Sequence, residues 1–361
     1  MLNLPAEKLN LLLEISGILN SSLELSEVKK RAISSAMRSL DADAGSIMFL
    51  DSQTGDLFFD VALGDKADEI KTVRLPKGQG IGGWVIKNKK PLVINDVQRD
   101  NRFFREADFK SGFRTRNMIC VPLLTRHRII GVLQIINKKE GDFTDDDLTL
   151  LTCLSNQIAI SIENALLYEE LRETFYSTIH SLADAVEKRN FLLSGHTKRV
   201  TKYCMATAKE LSLSPKDTIN LKLSAILHDI GKVVLSDNLL QDNKQFSYQE
   251  KMSFQMHSVY GAEIISHIKS LRDIIPVVRH HHERYNGSGY PDGLQGDEIP
   301  FLSRIIAVAD EFDILSKAKN LPYETAIKTI KDNIWIEFDG EIVMAFCVGL
   351  KKITDKEETT I

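Results

Sequence analysis

Apolar positions along this chain fall into two regimes. Between about residues 44 and 137 they form short, dense runs at 45–50, 57–63, 91–94, 119–124 and 129–136, the last two flanking a turn at 125–128. β-Branched and aromatic side chains dominate the runs and polar residues separate them, which predicts a mainly antiparallel sheet. Helical spacing precedes it: Leu9, Leu12, Ile15 and Ile18 mark one helix and residues 28–37 a second.

From Asp145 the apolar spacing becomes three and four and stays so. Leu151, Leu154, Ile158, Ile162 and Ala165, then Leu171, Phe175, Ile179, Leu182 and Val186, follow it, and no proline or glycine interrupts 145–190. This predicts one helix, or two nearly continuous ones, longer than a small domain needs. Packing against both flanking domains would account for it, and so would a dimeric coiled-coil lever between a sensing and a catalytic domain; the lever predicts a homodimer. Beyond residue 190 the segments 198–210, 217–228, 247–268, 274–283, 302–313 and 323–332 read as helices, with no persistent strand alternation. The expected fold class is α+β with two domains: an antiparallel sheet flanked by helices (1–168), a connecting helix (145–190) and an all-α bundle (183–350).

Composition narrows the classes of function. A length of 361 residues favours two cores over one. With 43% hydrophobic and 27% charged residues and a formal net charge of −4, the chain reads as globular and lacks the basic excess that bulk nucleic-acid binding needs. No uninterrupted apolar run approaches the roughly 20 residues of a membrane helix, and Glu7, Lys8 and Glu14 break up any signal-peptide pattern at the N-terminus. A cytoplasmic location is expected, without membrane association. Cys120, Cys153, Cys204 and Cys347 are widely spaced, which predicts reduced thiols with no assigned chemistry.

In the first half, Gly78-Gln79-Gly80-Ile81-Gly82-Gly83-Trp84-Val85 is followed by Pro91-Leu92-Val93-Ile94-Asn95-Asp96 and Asp100-Asn101-Arg102-Phe103, then by Cys120-Val121-Pro122-Leu123 and the run 130–138. Together these resemble a GAF domain over about 9–168. The glycines have no Gly-Lys-Ser/Thr and no strand-to-helix setting, so turns with positive φ are expected rather than a triphosphate loop. Asn137-Lys138 with Phe143 and Asp147 is similar to the signature of the cyclic-nucleotide-binding GAF members, where an ion pair and packing frame the pocket. The resemblance leaves the ligand open between a cyclic nucleotide, another small molecule and none.

The second half holds the candidate chemistry. His228-Asp229-Ile230-Gly231-Lys232 follows an apolar helical run, and an adjacent His and Asp at a helix end can bind one ion or bridge two. Upstream stand Gly195-His196 and Arg199-Val200; downstream stand His257, His280-His281-His282-Glu283 and Val308-Ala309-Asp310. Seven of the nine histidines lie between His196 and His282, which unconnected surface or core histidines would not explain. Zinc-finger spacing is absent, since no cysteine pairs with them.

These segments, with Arg284, the run Gly289-Tyr290-Pro291 and the closing stretch Arg304 to Asp313, resemble the HD-GYP family over about 183–346. The resemblance implies a cyclic-dinucleotide phosphodiesterase, with c-di-GMP the expected substrate and cyclic GMP-AMP the alternative. It implies that His196, His228, Asp229 and Asp310 hold one metal ion and His257, His281 and His282 a second, with Asp229 bridging. Iron or manganese is the expected metal. Lys232 is expected to meet the phosphate or leaving oxygen, and Arg284, Gly289, Tyr290 and Pro291 to line the substrate, with the loop around Gly289-Tyr290-Pro291 also a candidate surface for protein partners. Two departures matter. Leu192 stands where some members carry a third-metal glutamate, which predicts two ions. The segment 314–323 lacks the family's arginines, leaving Lys317 and Lys319 to grip phosphate; a catalytically weak sensor that binds metal and dinucleotide and acts through protein contacts is therefore the other reading.

Overall fold

The computed structural model describes residues 17, 24–51, 53–126, 128–189, 194–240 and 246–358. The helix expected from Leu9 to Ile18 and the position of Leu192 lie outside them. The chain forms two compact units, Met1–Glu173 and Thr174–Ile361.

In the first unit, six strands form one antiparallel sheet in the order β3-β2-β1-β6-β5-β4: β1 Ala42–Leu50, β2 Leu57–Leu63, β3 Arg74–Leu75, β4 Leu92–Ile94, β5 Met118–Leu124 and β6 Ile129–Lys138. Successive side chains on a strand point to opposite faces, and here both faces are covered. Ile47, Val121 and Leu133 pack with helix α1 (Leu25–Leu40) and with Leu151, Leu154 and Ile158 of the long helix. Their neighbours Met48, Cys120 and Val132 pack on the other side with Ile81 and Val85. That double burial is why the runs are densely apolar instead of alternating. Each fully buried Ile, Leu or Val contributes about 1.5–3 kcal/mol.

The glycine-rich run behaves differently from expectation. It does follow a short strand, β3, and opens a helix, Gly80–Asn88. Gly78 and Gly80, at φ 77° and 75°, turn the chain into it, and burial of Ile81 and Val85 against the sheet overrides the poor helix propensity of its three glycines. The signature residues form a frame: Lys138 Nζ lies 2.5 Å from Asp147 Oδ2, the Asn137 side chain bridges Arg116 N (2.8 Å) and Arg114 O (2.9 Å), and Phe143 N donates to Asn95 Oδ1 (2.9 Å).

The connecting segment is one helix, Asp145–Glu187, of 43 residues. By length and composition alone it could cross a membrane, but half of its most apolar stretch is buried inside the protein.

The second unit is helical. Ile179, Ala183 and Val186 of the long helix pack with Leu223, Ile226 and Leu227 of the helix Pro215–Leu227 and with Ile265 and Val278. The opposite side of Pro215–Leu227, at Leu221 and Ala225, belongs to a second cluster with Val200, Ile305, Ala309, Phe312 and Phe346. The expected single helix over 247–268 is two, Tyr248–Gln255 and His257–Ser266, and the 274–283 stretch is helical only over Ile275–Arg279. Both differences fall beside a histidine of the candidate site.

Candidate metal centre

Each histidine of the cluster sits at the end of a helix or just beyond one, where backbone carbonyls and amides are left without helical partners. His228 follows Leu227 directly, His196 and His257 begin their helices, and His281 and His282 follow Ile275–Arg279. The free carbonyls orient the rings. His228 Nδ1 donates to Ala225 O (2.9 Å), His257 Nδ1 to Phe254 O (2.7 Å) and His281 Nδ1 to Val278 O (2.6 Å). His196 Nδ1 donates instead to Asp313 Oδ2 (2.8 Å), whose carboxylate is held by Arg199 at 2.7 and 2.9 Å. In His228, His257 and His281 the proton is therefore on Nδ1 and the lone pair of Nε2 faces inward, the tautomer a metal ligand needs, and His196 turns its Nε2 inward in the same orientation.

Inward, the donor atoms form two groups. His196 Nε2, His228 Nε2 and Asp310 make one, with His196 Nε2 at 3.2 Å from Asp310 Oδ1 and 3.4 Å from His228 Nε2. His257, His281, His282 and Asp229 make the other, with His257 Nε2 at 3.1 Å from His282 Nε2. Asp229 addresses both: Oδ1 is 3.4 Å from His257 Nε2, and Oδ2 is 3.3 Å from His228 Nε2 and 3.8 Å from His196 Nε2. A glycine makes this approach possible, because a Cβ at Gly231 would lie 1.9 Å from the carbonyl oxygen of His257. Asp229 Oδ1 and His281 Nε2 are buried with no hydrogen-bond partner among the described residues. Native interiors rarely leave such atoms orphaned, and a divalent cation satisfies both, so the donor set fits one.

Electrostatics act in the same direction. Burial pushes His257 down to about 4 despite the charge of Asp229 and pushes His282 down to about 3; burial and neighbouring imidazoles hold His281 well below its usual range. These rings are neutral at pH 7, with no proton for a metal to displace. Burial opposes charge on Asp229 and Asp310 too, but Lys232 and His228 keep the first carboxyl well below its ordinary range and His196 does so for the second. His196 is the exception among the rings: burial disfavours its cation, yet Asp310 and Asp313 outweigh it and raise it to about 10.

The remaining expected residues divide. Lys232 Nζ lies 2.5 Å from Asp229 Oδ2, at the edge of the centre. Tyr290 stacks obliquely on His282, ring centroids 4.9 Å apart. Gly289 packs against backbone, since a Cβ there would meet Arg284 N at 2.3 Å, and so serves chain packing rather than offering a substrate contact of its own. Arg284 is tied to Glu337 at 3.0 Å and Lys319 to Glu311 at 3.6 Å, whereas Lys317 is exposed and has no ion pair among the described residues. His280 turns away, to Asp292 Oδ2 (2.8 Å). Asp313, quoted in the closing motif but given no role, is the residue that sequence reasoning missed; its partner is 117 positions away.

The chain thus combines a six-stranded sheet unit with a helical unit built around a His/Asp cluster. Residues 24–162 match the family model described as GAF domain and residues 180–341 the one described as HD domain, so the chain carries a GAF domain followed by an HD domain. Among curated relatives, 3'3'-cGAMP-specific phosphodiesterase 2 of Vibrio cholerae is 36% identical over 50% of this chain and 35% of its own length. The 3'3'-cGAMP-specific phosphodiesterase 3 of the same organism is 31% identical over 47% and 38%. The cyclic di-GMP phosphodiesterase response regulator RpfG of Xanthomonas campestris is 36% identical over 47% and 46%. The chain thus spans less than half the length of these relatives.

Proposed function

We propose that the C-terminal unit hydrolyses a phosphodiester bond of a cyclic dinucleotide at a two-metal centre, under the influence of the GAF unit. The observation that carries this reading is Asp229, whose two oxygens face two separate histidine groups. His196, His228 and Asp310 would hold one ion, His257, His281 and His282 the other, and Asp229 would bridge. When bound, the ions supply a water acidified toward neutral pH and positive charge at the non-bridging phosphate oxygens. Iron or manganese suits imidazole and carboxylate donors. Lys232, already at the rim beside Asp229, offers its ammonium to the phosphate or leaving oxygen, the Tyr290 ring forms a wall beside His282, and Lys317, exposed and without an ion pair among the described residues, would serve the distal phosphate. The relatives named for 3'3'-cGAMP and for cyclic di-GMP support the substrate class. Turnover by the full chain loaded with manganese or iron tests the proposal: cleavage of 3'3'-cGAMP or c-di-GMP is expected, and metal binding without cleavage of either would favour the sensor reading.

The GAF unit contains a pocket beside the sheet, partly open to solvent. Its walls are mainly apolar, including Phe59, Ile70, Phe103 and Met118, and Ser46 and Gln134, directly opposite each other on β1 and β6, also line it. Among the described residues the Ser46 hydroxyl is buried without a hydrogen-bond partner, and the Gln134 amide meets Cys120 Sγ at 3.7 Å. The one basic residue of the lining, Lys66, is paired with Glu69. A small neutral, largely apolar ligand with one or two hydrogen-bonding groups fits better than a cyclic nucleotide. On the long helix, Ile160, Leu167 and Leu171 remain exposed, which supports a homodimer through that helix.

A further inference from the structure

Two residues at the end of the long helix grip the backbone of both ligand-bearing segments. The helix that starts at His196 has no cap of its own: its N-cap, Gly195, has no side chain to accept the free amides of the first turn. Glu187 supplies that acceptor from another element. Its carboxylate takes a short hydrogen bond from Gly195 N through one oxygen and one of 2.9 Å from Thr197 N through the other, which also places negative charge at the positive end of the helix. The two amides flank His196 on either side.

Two positions further on, Arg189 does the corresponding work for the segment after Asp229. The Asp229 carboxylate faces the centre and does not cap the 3₁₀ turn Ile230–Val234 that it opens. Arg189 donates to the carbonyl oxygens of Lys232 (3.3 Å), Val233 (2.9 Å) and Leu235 (2.9 Å), and reaches Asp237 Oδ1 at 2.5 Å. A planar guanidinium, with five donors in a rigid fork, holds several carbonyls along one turn at once, and more firmly than an ammonium on a flexible stem. Arg189 thus fixes the stretch that carries Asp229 and Lys232 by its backbone, while Glu187 fixes the stretch that carries His196.

We infer that Glu187 and Arg189 are positioning residues of the metal centre, the first setting the place of His196 and the second that of Asp229 and Lys232. Neither touches a donor atom of the centre. The affinity of a metal site depends on how firmly its ligands are held before the ion arrives, and groups that orient ligands are worth about 10–100-fold in affinity. Their placement two residues apart gives the end of the long helix a hold on both ion positions. The helix is the element by which a change upstream would reach the centre, and beside its apolar packing on Ile226 and Leu227 these two side chains hold the backbone of the ligand-bearing segments.

The inference rests on the two-ion reading of the site, and its test separates the two. Manganese binding to the metal-free full chain is titrated by electron paramagnetic resonance with chelator competition, in wild type, Glu187→Ala and Arg189→Ala, alongside melting temperature. If wild type does not take up two ions, or His257→Ala does not reduce their number, the reading of the site fails before the variants are compared. If it holds, Glu187→Ala should weaken one ion about tenfold or more and leave the other within about twofold, whereas Arg189→Ala should weaken both, because Asp229 serves both. Glu187→Gln, which keeps one acceptor oxygen, and Arg189→Lys, which keeps a cation and donors without the fork, should each fall between wild type and alanine; these milder variants stand in if the alanine proteins do not fold. Lower melting temperatures with both ions bound as in wild type would show plain structural caps and overturn the inference, as would equal loss of both ions in the two variants.

Discussion

His196 Nδ1 donates to Asp313 Oδ2 at 2.8 Å, and this bond holds the ring with its Nε2 toward the centre. Asp313 is 1% exposed and also holds Arg199. Asp313→Ala should therefore weaken metal binding about 10–100-fold, and should cost about 2 kcal/mol of stability by taking the carboxylate away from the guanidinium, which keeps its bond to Ser194 O. Asp313→Asn, which keeps an acceptor oxygen for the ring, should lose less. Chelator competition and thermal melts on both variants check this; unchanged metal affinity in Asp313→Ala would refute the role.

Why Asp313 was not legible in the sequence, although the cluster was, follows from what a linear pattern can carry. Histidines and aspartates at helix ends are conspicuous because their side chains do the chemistry. A residue that acts through another leaves no mark unless the fold brings the pair together, and the same holds for Glu187 and Arg189, which lie beside the motif as ordinary helix-end charges. In the sheet unit, the apolar runs marked every strand of more than two residues. They missed the helix Gly80–Asn88 because its glycines argue against one, and only burial against the sheet, a tertiary effect, overrides that. The break between Gln255 and His257 was equally invisible: no proline or glycine marks it, and its consequence, the reach of His257 Nδ1 to Phe254 O, is a contact.

A pH dependence arises beside the centre. Hydrogen bonds from Arg279 and His280 pull the Asp292 carboxyl down to about 2. Its folded value lies below the ordinary one near 4, so between those values the unfolded chain binds more protons than the folded one, and the stability it contributes is present above about pH 4 and lost as pH falls toward 2. The side chain is 37% exposed, so solvent screening limits the contribution to about 1 kcal/mol. In metal-free protein, Asp292→Asn should be less stable than wild type by about that amount at pH 7, and the gap should close near pH 2. A gap that stays constant across this range would contradict the assignment.

The exposed stripe on the long helix predicts assembly. Leu167 and Leu171 are 57% and 67% exposed and four residues apart, with Ile160 a heptad before Leu167. Light scattering should find a dimer at roughly tens of micromolar protein, and Leu167→Glu with Leu171→Glu should convert it to monomer without loss of helix content. A monomeric wild-type protein at that concentration would count against the interface.

For the GAF pocket, the expected ligand class can be tested by exclusion. About 1 mM cyclic AMP or cyclic GMP should leave the melting temperature of the full chain unchanged, since a ligand that binds only the folded state must raise it. A rise that disappears in Ser46→Val would mean that the pocket accepts a cyclic nucleotide after all.

The central claim is that Asp229 joins two ion sites into one hydrolytic centre while Lys232 serves the phosphate. The most direct measurement is bound metal per chain together with hydrolysis of c-di-GMP and 3'3'-cGAMP, made on wild type, Asp229→Ala and Lys232→Ala. Wild type should carry about two ions and cleave at least one of the dinucleotides. Asp229→Ala should lose occupancy at both positions and all turnover, whereas Lys232→Ala should keep its metal and lose about 10²-fold in kcat. An Asp229→Ala protein that keeps two ions and turns over, or a fully metallated Lys232→Ala protein as active as wild type, would contradict the account.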